Sequence, residues 1–224
     1  MGTTRTRLPG ITLRDVAPAD ADAVMRLLAN VNPDDPDAFE DVRPNLSLPQ
    51  EGPLSHFRSL MIVAENGEGE VLGVLIGGVP LWLFNHVGVD PELAHHLAER
   101  VATITAVAVL PRQRGRGIGA ELVRHSVRRF TRAGYGLLTL NCFPELESYY
   151  RGLGFSIMDD LNVSLGPLNP VQQQWGDTRV AARALDRYTS LVDVPGLSSP
   201  VVSGILPNTS LPRGTYFDGE RLWP

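Results

Sequence analysis

The stretch ITLRDV (residues 11–16) alternates apolar and polar positions as a half-buried strand does. After Pro18, Val24, Leu27, Leu28 and Val31 fall at helical spacing. Residues 32–44 then form an acidic, proline-broken loop, and a short helix is expected around Ser55 to Arg58. SLMIVAENGEGEVLGVLIGGVPLW reads as two strands joined by a tight Asn66-Gly67 turn. Residues 85–100 interrupt the strands, with PELAHHLAER helical, before ATITAVAV resumes them. GIGAELVRHSVRRFTRAG is a helix with Ile118, Leu122, Val123, Val127 and Phe130 on one face, ended by Gly134. GLLTLNC is a buried strand, PELESYYRGLG a short helix with proline in its first turn, and FSIMDDLNVSL a strand. GPLNP reads as a linker, DTRVAARALDRY as a helix from Asp177, and Asp218-Gly219 as a second hairpin turn.

Hairpins and strand-helix-strand crossovers in one chain imply a mixed α/β sheet with helices on both faces. We expect a core over residues 11–165 and a C-terminal extension, 166–224, of a helix plus a hairpin that completes the sheet. At 224 residues the chain is long enough to bury a substantial core.

Charge changes this picture. All 20 basic residues are arginine, a bias suited to a GC-rich, bacterial genome, and the absence of lysine rules out Walker A loops and lysine Schiff bases. From Arg100 to Arg132 there are eight arginines and one acid, Glu121, although the net charge is −5. A nucleic-acid binder is basic overall, so we expect no nucleic-acid partner. One local cationic block suits one small polyanion. No apolar run approaches the roughly 20 residues of a membrane span, and the polar start lacks the apolar core of a secretory signal, so a cytoplasmic location without membrane attachment is expected. Gly2 and Thr6 match a myristoylation pattern that is too short to outweigh chance. Cys142 is the only cysteine and the five histidines show no ligand spacing, so no metal is expected.

The chemistry concentrates in VAVLPRQRGRGIGA (residues 107–120), where a strand ends, Pro111 stops it, and a helix begins near Gly117. A helix start leaves backbone N–H groups unpaired and favours anions. Gly115, Gly117 and Gly119 permit close approach to that backbone, and Arg112, Arg114 and Arg116 add forked donors. Together they make a pyrophosphate cradle. G-R-G-I-G-A also fits the dinucleotide fingerprint, but Leu110 to Arg114 intervene after the strand, and residues 135–141 hold no acid for a ribose. A solvated arginine-rich helix start is the bland reading.

The stretch resembles the GNAT superfamily of acyl-CoA N-acyltransferases. Arg114, Gly117 and Gly119 meet its [RQ]-x-x-G-x-[GA] signature after Val109 and Pro111. The opening ITLRDVAPADADAVMRLL resembles the first strand and helix, and Tyr150, Gly154 and Phe155 fill the closing motif. The resemblance implies a mostly antiparallel sheet with a parallel pair at the cofactor cleft. It implies acetyl-CoA as co-substrate, with pyrophosphate on Arg114, Gly115, Arg116, Gly117, Ile118, Gly119 and Ala120. Pantetheine would pair with Val107, Ala108 and Val109, and Asn141 or Cys142 would line the cleft. Transfer would be direct attack of a small-molecule amine on the thioester, with the Val107 N–H at the oxyanion and Tyr150 donating to the departing thiolate. Tyr149 and Tyr150 as plain packing residues is the competing reading.

Many relatives carry a Glu or His base where this chain has Thr103 and Thr105. His86, Glu99, His95, His96 or a water chain stand in as candidates. Cys142 lacks a partner for acyl carriage and reads as buried and inert. Asp34, Asp35, Asp37, Glu40 and Asp41 form a solvated loop or attract a cationic amine; Trp82, Phe84 and Phe57 offer an apolar pocket instead. Two other functions fit the same residues: a non-catalytic acyl-CoA-binding module, or an enzyme acting on a protein amino group. A homodimer is compatible with either.

Overall fold

In the computed structural model, residues 4–31, 35, 37–48, 52–86, 88–165 and 170–224 are described. Gly2, Asp34 and most of the expected linker, residues 166–169, lie outside them. The strands are β1 (Thr4–Arg5), β2 (Ile11–Asp15), β3 (Leu60–Asn66), β4 (Val71–Gly78), β5 (Val101–Val109), β6 (Leu137–Cys142), β7 (Ser156–Met158), β8 (Leu161–Ser164), β9 (Pro170–Gln173), β10 (Arg179–Ala184), β11 (Ser190–Val192), β12 (Val201–Ser203), β13 (Tyr216–Phe217) and β14 (Leu222–Trp223). The helices are α1 (Ala21–Leu28), α2 (Trp82–Asn85), α3 (Pro91–Ala98), α4 (Ile118–Arg132) and α5 (Glu147–Gly152).

The chain divides into two compact units, one of residues 1–78 and 104–133, the other of 79–103 and 134–224. In the first, strands run in the order β1-β2-β3-β4-β5. β2 pairs antiparallel with β3 from Ile11↔Asn66 to Asp15↔Ile62, and β3 with β4 from Leu60↔Gly77. Successive strand residues face opposite sides, so β4 serves two helices. Val74 and Ile76 join Val24, Leu27 and Leu28 of α1 in one cluster. At Gly73, on the other face, a Cβ would meet Ala108 O at 3.0 Å and Leu122 Cδ1 at 3.2 Å. That glycine lets α4 lie directly on the strand.

Polar groups lock this unit. Arg14 Nη1 and Nη2 donate to Asp20 at 2.5 and 2.9 Å, and its Nε donates to Glu65 at 2.7 Å, joining β2, β3 and the entry to α1. The Asp20 carboxylate holds the guanidinium proton above its usual range.

In the second unit the order is β5-β6-β10-β7, with β10 antiparallel to both neighbours. The crossover through α4 makes β5 and β6 the parallel pair of a mixed sheet. A second sheet runs β11-β12-β8-β9, with β12 parallel to β8, and β13 and β14 form a separate ribbon. Leu97, Val101, Leu137, Val163, Val180 and Val202 are among its buried core.

Four local expectations are corrected. Arg179–Ala184 is a strand, because Val180, Ala181 and Ala182 are buried between β6 and β7. FSIMDDLNVSL is two strands in two sheets, broken at Asp159-Asp160. Ser55 to Arg58 is a tight turn, with the Ser59 N–H donating to His56 O at 2.7 Å. The β3–β4 connection is longer than a two-residue turn: Asn66 Oδ1 accepts from Glu68 N and Glu70 N, and the left-handed residue is Gly69, at φ 80°.

Candidate active site

β5 ends at Val109, and the next amide, Leu110 N, donates to Leu72 O of β4 at 2.9 Å. Pro111–Gln113 make one 3-10 turn. Gly115 and Gly117 then take φ 75° and 85°, a region costly to any residue with a Cβ. Gly117 is the N-cap of α4 and offers no capping side chain. Glu121 N is bonded to Gly117 O at 3.1 Å, so the amides of Ile118, Gly119 and Ala120 precede the first intrahelical bond. Ile118 is buried and anchors this end of the helix near Gly73, while Gly115, Arg116 and Gly117 are exposed. A strand end, two left-handed glycines and three unsatisfied amides therefore sit on one short path. A polyanion held by backbone fits this donor set.

The arginines contribute less free charge than their number suggests. Arg112 pairs with Glu70. Arg114 Nε donates to Val109 O at 3.2 Å, and Arg116 Nη1 to Gln113 Oε1 at 2.6 Å. Elsewhere in the cationic block, Arg124 pairs with Glu121 and Arg129 with Asp15.

Asn141, Cys142 and Tyr150 belong to the second unit. Asn141 is exposed at the end of β6, opposite Val180 of β10, and its Nδ2 donates to Thr178 Oγ1 at 3.3 Å. Tyr150 is 7% exposed, edge-on to Tyr149 at 5.0 Å and to Phe155 at 6.0 Å. Among the described residues nothing hydrogen-bonds its hydroxyl. Burial pushes the phenol above its usual range, with Tyr149 and Cys142 acting in the same direction. It therefore stays protonated at neutral pH and remains a donor. Cys142 is buried and its thiol is likewise raised, by burial first, which disfavours the thiolate a nucleophile needs.

The candidate bases fare unequally. His86 Nδ1 accepts from Gly88 N at 3.0 Å, so Nε2 carries the proton and donates to Gln172 O at 2.8 Å. Both nitrogens are occupied. His95, His96 and Glu99 lie on the exposed face of α3 and just beyond its end. Thr103 Oγ1 donates to Thr139 O at 3.3 Å, and Thr105 is exposed. In the acidic loop, Glu40 is bound by Arg43 at 3.0 Å. Trp82 packs edge-on to His86 and Trp175, whereas Phe84 and Phe57 are mostly exposed. Among the described residues no three His, Cys, Asp or Glu side chains converge as metal ligands, and no helix is long and apolar enough to cross a membrane.

The fold and the strand-turn-helix at its site are those of an acyl-CoA-dependent acyltransferase. The family model described as Acetyltransferase (GNAT) family matches residues 24–155, and the chain belongs to that family. Among solved structures, it is similar to the GNAT family N-acetyltransferase YhbS from Escherichia coli in complex with CoA: TM-score 0.55, 20% identity, 82% of this chain and 85% of that one. A GCN5-related N-acetyltransferase from Kribbella flavida has TM-score 0.54 and 20% identity, over 79% and 98% of the two chains. The PaiA N-acetyltransferase from Thermoplasma acidophilum, in complex with coenzyme A, has TM-score 0.52 and 12% identity, over 78% and 98%. At such identities the likeness is one of fold. No curated protein sequence matches the chain.

Proposed function

We propose that this chain transfers the acetyl group of acetyl-CoA to a primary amine of a small molecule, by direct attack within a ternary complex. The observation that carries the reading is the backbone from Val107 to Ala120: strand end, left-handed Gly115 and Gly117, and the uncapped amides of α4. When bound, acetyl-CoA supplies an activated thioester. The amides of Ile118, Gly119 and Ala120 hold its pyrophosphate, and Val107 to Val109 offer a strand edge to the pantetheine arm. The Val107 N–H faces the developing oxyanion, and Asn141 lines the arm's path. Tyr150 keeps its proton through burial and gives a hydrogen bond, or the proton itself, to the leaving sulfur. Cys142, held as a thiol, takes no part in a covalent intermediate.

Of the candidate bases, His86 is engaged at both nitrogens, and His95, His96 and Glu99 are exposed on α3 or just beyond its end, so none is assigned the amine proton. A bound water or an amine of low pKa takes that role. The same vacancy is what a non-catalytic acyl-CoA-binding module would show. Thiol release from acetyl-CoA across a panel of small amines separates the two. Release with at least one amine supports the proposal, and tight CoA binding without release from any amine supports the module. Release with a peptide amino terminus but with no small amine would move the acceptor to proteins. Residues 11–165 serve as the transferase core in this reading, and 166–224 as an extension supplying β10 to its sheet.

A further inference from the structure

The second unit holds a cavity of about 270 Å³ whose walls include Leu211, Pro212, Leu222, Trp223, Asn208 and Ser210. None of the residues assigned above to acetyl-CoA or to catalysis lines it. Its interior is apolar and no ionisable side chain lines it. An anionic guest would lose part of its hydration there without meeting a cationic side chain. That disfavours the phosphates of CoA, and no residue of the proposed acyl-transfer site is among those that line the cavity.

Two features set it apart from a packing fault. The indole of Trp223 is fixed in place: its Nε1 donates to Asp218 Oδ2 at 2.6 Å, and the Arg221 guanidinium carbon lies 3.8 Å from the ring centroid. Asp218 Oδ1 in turn accepts from Glu220 N and Arg221 N, both at 2.9 Å. Neither Asp218 nor Arg221 lines the cavity, so both hold the aromatic wall from outside it. Second, the hydroxyls of Thr209 and Thr215, deeper in the wall, are already used by the fold, whereas the polar side chains at the exposed part are not. Thr209 Oγ1 donates to Leu206 O and Thr215 Oγ1 to Pro212 O, each at 2.8 Å. The side chains of Asn208 and Ser210 have no hydrogen-bond partner among the described residues. Asn208 stands at φ 63°, in the left-handed region that asparagine enters more readily than most residues.

We propose that this cavity is a second ligand site, taking a small uncharged ring compound that stacks on Trp223 and hydrogen-bonds Asn208 or Ser210. A cavity of 150 Å³ accommodates benzene, so about 270 Å³ suits a ring with one polar substituent.

The test uses the full chain and 4-fluorophenol as probe, read by its ¹⁹F signal. Charged controls are 4-fluorobenzoate and 4-fluorobenzylammonium. The expected result is saturable binding of the phenol, at least tenfold tighter than of either control. Ser210→Trp, which fills the mouth from an exposed position, should weaken it at least tenfold while the acetyl-CoA thermal shift is unchanged. If that variant fails to fold, Trp223→Leu replaces it, with the same loss expected. Absence of saturable binding to the unaltered chain, equal binding of a charged control, or undiminished binding in a folded variant would each overturn the proposal. Because acetyl-CoA binding is scored separately, failure here leaves the acyl-transfer reading standing, and the converse holds as well.

Discussion

Asp15 and Arg129, 114 positions apart, meet in a two-pronged ion pair at the end of β2, with Nη2 to Oδ1 at 3.0 Å and Nη1 to Oδ2 at 3.2 Å. Asp15 is 3% exposed, and Ser55 Oγ donates to the same carboxylate at 2.5 Å. Ser55 also accepts from Met61 N at 2.8 Å, so one carboxylate joins β2, β3 and α4. Removing one partner of such a pair strands the other charge in a dry site. Asp15→Ala should lower unfolding free energy by about 3–5 kcal/mol, read from urea denaturation. Acetyl-CoA affinity of the folded fraction should be unchanged.

Beside this pair lies His125, on the buried side of α4, its Nε2 without a partner among the described residues. Burial, with Arg129, Arg128 and Arg132 outweighing Asp15, lowers its pKa from 6.5 to about 4. Between those values the unfolded chain binds the extra proton, so folding stability rises with pH. This contribution is complete above about pH 6.5 and is lost as pH falls towards about 4. His125→Leu should flatten that part of the stability–pH curve; an unchanged slope would show that another group carries it.

Much of this was legible in the chain and some was not. Of the stripe Ile118, Leu122, Val123, Val127 and Phe130, all but the half-buried Val127 are buried as the spacing implies, and the strand-turn-helix around Gly117 stands where the sequence places it. β10 was hidden because RVAARA is rich in strong helix formers and lacks alternation: Val180, Ala181 and Ala182 are all buried in a central strand, where neighbours outweigh propensity. The arginine block misleads in another way. Counting charge along the chain cannot show that Glu70 and Asp15 neutralise Arg112 and Arg129 from distant positions. Asp15, at the end of ITLRDV, and His125, within the long helix, carry no mark in the sequence of the ion cluster they join.

Gly117 is the position where backbone conformation and ligand contact coincide. Gly117→Ala places a Cβ at φ 85°, costing about 1–2 kcal/mol and tilting the first amides of α4. Isothermal titration should show acetyl-CoA binding at least tenfold weaker. Gly152→Ala, at an exposed position in α5 with open space around it, should leave affinity unchanged.

Tyr150→Phe keeps the ring against Tyr149 and Phe155 and removes only the hydroxyl. Turnover should fall by about 10²–10⁴-fold while acetyl-CoA affinity stays within twofold. Equal turnover would reduce Tyr150 to a packing residue.

The central claim is met most directly by free-thiol release from acetyl-CoA, measured for the unaltered chain with a broad panel of small primary amines. Amine-dependent release that saturates in both substrates, and is lost in Gly117→Ala at low acetyl-CoA, is the predicted result. Saturable CoA binding with no amine-dependent release from any member of the panel would contradict it.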